Sequence, residues 1–335
     1  MRENPRHGEV IHCPQCCRII VSAVFPAVLW VVLIIGLMTE VQAEIHSDHF
    51  APAQLTVGEA TIDVTFAPGP LALSRTQVLD WVTTSAQAVA HYYGRFPVPQ
   101  IRILITPVPG TRVRFGTAFG GREPRIKVSL GQAAGEEALQ RDWVMTHEMV
   151  HLAFPRVPDE HHWIEEGIAT YVEPFARLGI GQLSEETVWR ELVEGLPQGL
   201  PKPGDKGLDH TPTWGRTYWG GALFCLLADI AIRERTANHY GLQDALRAIV
   251  AAGGTMQVAW PITRALEIGD QATGVSVLME LYNQMKAAPV EIDLVELWQR
   301  LGIEVRDGAV VFHDERPLAS VRHAIIAATR GQAKE

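Results

Sequence analysis

The chain has 335 residues, 47% of them hydrophobic, enough to bury a large core in one or two domains. Its net charge of −9 comes from acidic residues scattered along the sequence, not gathered in runs. That balance lacks the basic footprint that holds nucleic acid non-specifically, so no nucleic-acid partner is expected.

Residues 1–43 read differently from the rest. Arg2, Arg6 and Arg18 precede an uncharged apolar stretch, 19–38, which is followed by Val41-Gln42-Ala43. A basic start, an apolar middle and a small-residue exit make an export signal, which would place the mature chain in the periplasm or outside the cell. The same stretch is long enough to cross a bilayer as an uncleaved anchor, so membrane attachment through 19–38 stays open beside cleavage. Cys13, Cys16 and Cys17 lie in this leader, and Cys225 alone lies beyond it. A mature chain with one cysteine forms no internal disulfide, and the leader thiols read as incidental because no partner cluster accompanies them.

Further along, Leu55, Val57, Ile62, Val64 and Phe66 alternate with polar residues, the pattern of half-buried strands. Residues 74–93 predict an amphipathic helix with Ser74 as N-cap and Gly94 as its stop. Strands are expected at 101–106 and at 125–130, where Ile126, Val128 and Leu130 alternate. The segment between them, with Gly110, Gly116, Gly120 and Gly121, suits a loop or an irregular edge strand. Residues 44–135 therefore make a sheet-rich lobe. From 136 to 335 the chain is mostly helical, with helices expected over 136–154, 162–178, 184–194, 218–235, 241–251, 261–267 and 292–301. Residues 196–209, rich in Pro and Gly, read as a loop, and 304–312 as a hairpin turning at Asp307-Gly308. The expected class is α+β.

His147-Glu148-Met149-Val150-His151 is the strongest local signal. On a helix, residues four apart are neighbours about 6 Å apart, so both imidazoles can reach one zinc ion. Glu148 then points toward the open position, where a carboxylate can take a proton from bound water. The flanking residues are apolar, and burying this trio among them is costly without a cation or partners. Zinc needs a third protein ligand. Asp159, Glu160, Glu165, Glu166 and Glu173 are the acidic candidates, with His161 and His162 competing from the rim. Glu173 could orient a metal histidine or form a surface salt bridge, and Asp142 is another orienting candidate. Gly167 would let the helix bearing the histidines approach closely.

The string Trp163-Ile164-Glu165-Glu166-Gly167-Ile168-Ala169-Thr170-Tyr171-Val172-Glu173 resembles the second metal helix of the aminopeptidase-N and glycyl aminopeptidase families. The glutamate directly before the glycine is the third ligand there, which implies Glu166 here. Tyr218-Trp219-Gly220-Gly221 and the Leu-rich run after it resemble the helix that follows the metal site in glycyl aminopeptidases. The resemblance implies that Tyr218 donates its hydroxyl to the oxyanion of the tetrahedral intermediate. It further implies a zincin (thermolysin-like) catalytic domain, a gluzincin metallopeptidase with Zn2+ on His147, His151 and Glu166, Glu148 as general base, and a peptide or protein substrate.

Three departures bear on substrate handling. Gly220 stands where those families usually carry lysine, and only 14 residues separate His151 from Glu166. The Gly-x-Met-Glu-Asn strand that grips a substrate's amino terminus is also missing, so amino-terminal trimming is not implied. Phe115 to Gly121 occupies its place, either as a strand edge that pairs with an extended peptide or as a surface loop. Two other readings compete: a zincin-like, membrane-tethered binding module without catalysis, and a zinc hydrolase of non-peptide substrates.

Overall fold

The computed structural model describes residues 50–331, so the leader and the expectations placed on it lie outside the described residues. Among the described residues no helix is long and apolar enough to cross a membrane.

The alternating N-terminal residues form two strands, β1 (Ala53–Val57) and β2 (Ala60–Phe66), joined by a tight turn at Gly58 and antiparallel. Helix α1 (Arg75–Tyr93) follows. Ser74 and Gln77 form a reciprocal capping box at its start, and Gly94, with φ 78°, closes it in the left-handed conformation. The chain then enters β3 (Gln100–Val108), which runs parallel to β2. Next come β4 (Val113–Phe119) and β5 (Arg125–Gly131). β5 lies parallel to β3 and β4 lies outside it, antiparallel, giving the order β1-β2-β3-β5-β4. The glycine-bearing segment is thus an edge strand. One face of the sheet carries Ile62, Ile101, Ile103, Ile105, Ile126 and Leu130, all fully buried.

The single long helix expected over 136–154 is instead α2 (Glu136–Gln140), a break, α3 (Val144–Val150) and a 3-10 turn at His151–Ala153. Asp142 causes the break. Its carboxylate accepts from the backbone N–H of Val144 and Met145 at 3.0 Å each and from Trp81 Nε1 on α1 at 3.1 Å. A side chain that satisfies the orphan donors of a new helix start competes with continuing the old helix. Asp142 therefore caps α3 and ties it to α1, its carboxylate taken up by Trp81, Val144 and Met145.

The remaining helices are α4 (His162–Gly179), α5 (Glu185–Gly195), α6 (Gly221–Arg235), α7 (Leu242–Ala251), α8 (Ile262–Thr273), α9 (Val277–Met285), α10 (Leu294–Leu301) and α11 (Ala319–Thr329). α9 and α11 lie outside the expected helices, and α8 runs six residues beyond the expected end at 267. The 196–209 loop carries short 3-10 turns at Leu196–Gly199 and Leu208–His210. Strands β6 (Ile303–Arg306) and β7 (Ala309–Phe312) make the expected hairpin, with Asp307 and Gly308 at φ 52° and 78°. Positive φ at both turn residues suits the twist of the strands. The resulting class is α+β, a mixed sheet with helices.

Gly167 does permit a close approach, but to a different partner than expected. A Cβ there would overlap the backbone of Gly221, so the two glycines mark the crossing of α4 with α6 and not with α3.

Candidate metal centre

α3 and α4 lie against each other and, with the 3-10 turn that follows α3 and carries His151, bring three donors together. Glu166 Oε2 stands 3.1 Å from His147 Nε2 and 3.6 Å from His151 Nε2. All three residues are buried, and among the described residues they are the group of His, Cys, Asp and Glu side chains whose donor atoms fall within 4.8 Å of one another. Bonds of about 2.0–2.1 Å to a tetrahedral zinc would put ligand atoms about 3.3 Å apart. The two measured spacings bracket that value, so the residues fit such an ion.

The electrostatics agree with the geometry. Burial, reinforced by the His147 charge, drives the His151 imidazole down to about 3, so it is neutral at ordinary pH, the form that ligates metal. Burial acts to raise Glu166, but hydrogen bonds from His147 and His162 outweigh it and hold the carboxyl well below its usual range. His162, one turn before Glu166, donates toward both acids of the helix start. Its Nδ1 lies 3.0 Å from Glu165 Oε2 and its Nε2 lies 3.2 Å from Glu166 Oε1. These bonds lift its imidazole to about 10. His162 thus holds the second oxygen of Glu166, while Glu165 bonds the backbone N–H of Val157 at 3.1 Å. His161 turns away and is held at 3.0 Å by Asp209.

Glu148 sits beneath the edge strand. The backbone N–H of Ala118 on β4 donates to its carboxylate. A Cβ on Gly116 would overlap Glu148 Cγ and stand 2.9 Å from Val144 Cγ1, so only glycine leaves the carboxylate its place. Burial pushes the Glu148 carboxyl up to about 7, with the His147 charge opposing.

Tyr218 lies in a π-helical turn, Arg216–Gly220, that leads into α6. Its ring stacks on His147, centroids 6.1 Å apart and 16° between planes, and on Trp214 at 5.6 Å and 25°. Its hydroxyl bonds to Glu166, and burial together with the Glu166 and Glu148 charges pushes the phenol up to about 12, so it remains a donor at neutral pH. The turn is anchored by Arg216, buried beside Asp205 at 2.8 Å. Glu173 is buried, not at the surface. It accepts from Arg177 at 2.9 Å, and burial raises its carboxyl to about 7.

No family model and no curated protein matches the sequence. Among solved structures, the fold is similar to that of an aminopeptidase N family protein from Idiomarina loihiensis. That protein is 13% identical, and the alignment covers 80% of this chain and 53% of the other with a TM-score of 0.55. The fold is aminopeptidase-N-like. An M1 zinc metallopeptidase from Deinococcus radiodurans also aligns, 16% identical over 72% of this chain and 52% of the other, with a TM-score of 0.48. The chain spans about half the length of these solved proteins. At 13% identity the likeness to the Idiomarina protein speaks for architecture, a mixed sheet with helices, and the site has to be read from its own residues.

Several contributors were not legible in the sequence. Gly116 and Ala118 act through contacts between a strand and a helix that are 30 residues or more apart, which no local pattern encodes. The partner of His162 could have been suspected from its spacing of four to Glu166 on a helix. Trp214 offered no signal beyond its size.

Proposed function

We propose that this chain is a zinc-dependent peptidase of the gluzincin type, with the thermolysin-like arrangement in which His147, His151 and Glu166 hold the metal. The convergence of those three donors beneath an edge strand, with Glu148 and Tyr218 beside them, carries the reading. A zinc ion held there would supply Lewis acidity and a water of lowered pKa. The chain's own residues do the rest. Glu148, placed beside the three donors, accepts a proton from the attacking water and returns it to the leaving amine. The Ala118 N–H fixes the carboxylate for that transfer. Tyr218 stays protonated and donates its hydroxyl to the carbonyl oxygen as negative charge develops there.

The substrate class follows from β4. Among the described residues its outer edge has no partner strand, and it runs directly past Glu148, so its backbone groups can pair with an extended peptide. Residues 1–43 support an exported enzyme, cleaved or anchored.

Purified protein and its Glu148→Gln variant test this together. Both are expected to retain one zinc per chain by metal analysis, while turnover of a broad peptide library falls by about 10²–10⁴-fold in the variant. Undiminished turnover in the variant, or a wild-type protein that binds no zinc, would overturn the assignment. Zinc in both forms with no peptide turnover in either would favour a binding module.

A further inference from the structure

A cavity of about 390 Å³ opens beside His147 and Tyr218, within the usual range of about 300–1,000 Å³ for ligand sites. Three tryptophans line it, Trp143, Trp214 and Trp219, together with Tyr218. Trp143 and Trp214 are 50% and 60% exposed, costly for such large apolar rings unless something covers them. They are also held in place. Trp214 stacks on Tyr218, Tyr218 on His147, and Trp143 meets the His147 ring edge-on at 5.3 Å. The Trp219 indole lies against Gly195, where any Cβ would overlap it, and so fixes the aromatic wall to α5.

α5 brings the opposite ingredient. Glu191 and Glu194, one turn apart, both line the cavity. The cations in the lining are already engaged. Arg177 donates to Glu173 at 2.9 Å and to the Gln140 carbonyl at 3.1 Å, and Arg141 pairs with Glu137. Glu191 and Glu194 form no ion pair within 4.0 Å among the described residues. Burial raises the Glu191 carboxyl, and the Glu194 charge adds to that, against Arg177 and Arg190. Aromatic faces attract a cation through their quadrupoles, and surplus carboxylates at the rim discriminate against an anion.

We propose that this cavity receives a basic side chain, arginine or lysine, of the peptide substrate at a position adjoining the scissile bond. The inference rests on the peptidase reading of the metal centre for its substrate, and on the aromatic and acidic lining for its selectivity.

The test uses peptides that differ only at the residues flanking the scissile bond, carrying arginine, lysine, phenylalanine or citrulline, the last matching arginine in shape without its charge. Arginine is expected to exceed citrulline by about tenfold or more in kcat/KM at one of these positions, and the Glu191→Gln/Glu194→Gln double variant to bring that ratio close to one. Hydrolysis that treats arginine and citrulline alike, or that favours phenylalanine over arginine, overturns the inference and leaves the peptidase reading intact. Binding is read separately, by quenching of tryptophan fluorescence with N-acetylarginine amide against its citrulline counterpart. Preferential binding of the arginine amide without hydrolysis of any peptide would sink the peptidase reading and keep the cavity assignment. No preference in either measurement removes the inference.

Discussion

A general base works only where its carboxylate can face the attacking water, and for Glu148, proposed for that role, a neighbouring strand decides the carboxylate's position as much as the helix that bears it. Glu148 is legible in the sequence because two histidines four residues apart announce a shared helix face. Gly116 is not legible, since its role lies in an absent Cβ whose space Glu148 Cγ and Val144 occupy. Gly116→Ala is therefore expected to leave zinc content and thermal stability near wild type while lowering kcat by about 100-fold, the usual cost of a misplacement near 1 Å. A variant with normal kcat would mean that Glu148 tolerates displacement, and that the Ala118 N–H is not what positions it. Glu166 belongs to the same scale. Its assignment over Glu165 came from a family resemblance, and the structure turns Glu166 toward both imidazoles and Glu165 toward the Val157 N–H.

Elements were read well where their periodicity is local and poorly where a single polar side chain overrides it. α4 and α5 emerged within a residue or two of their expected bounds. The helix expected over 136–154 did not, because Asp142 offers its oxygens to two backbone N–H groups and begins a new helix there. α9 was missed for a related reason, as Asp270 on α8 reaches across to bond the N–H groups of Leu278 and Met279. The π-helical turn around Tyr218 also escaped, since nothing in the string distinguishes it from the first turn of α6. Which helix crosses which is not encoded in either helix alone. Gly167 meets Gly221, backbone against backbone, and neither side can retreat without moving its helix. Gly167→Ala is expected to destabilise the fold by about 3 kcal/mol, read as a lowered urea midpoint, because overpacking of this kind is relieved only by shifting α4. Since Glu166 precedes Gly167, zinc affinity should fall with it. An unchanged midpoint would show that the crossing has slack.

For the whole molecule, composition and alternation disclosed the α+β class, but not the order β1-β2-β3-β5-β4, because pairing between distant strands leaves no mark on either one alone. The placement of β4 outside β5 is what exposes an edge beside α3. The same global packing buries charge, and Glu173 shows how that couples stability to pH. Burial raises its carboxyl from the ordinary 4.5 to about 7, against the pull of Arg177. Below about pH 4.5 the folded and unfolded chains both hold this proton. Between 4.5 and 7 the folded chain keeps a proton that the unfolded chain releases, so this residue's contribution to stability declines as pH rises, by on the order of 3 kcal/mol in all. Other groups titrate across the same window, His151 with the opposite sign, so the wild-type profile alone does not isolate the effect. Comparison with Glu173→Gln does. At pH 5 the folded wild type already holds a neutral group that accepts from Arg177, which glutamine reproduces, so the variant should start near wild-type stability and gain on the wild type steadily up to about pH 7.5 in urea unfolding. Parallel profiles for the two proteins would mean that Glu173 is ionised throughout, with Arg177 fully offsetting the cost of its burial.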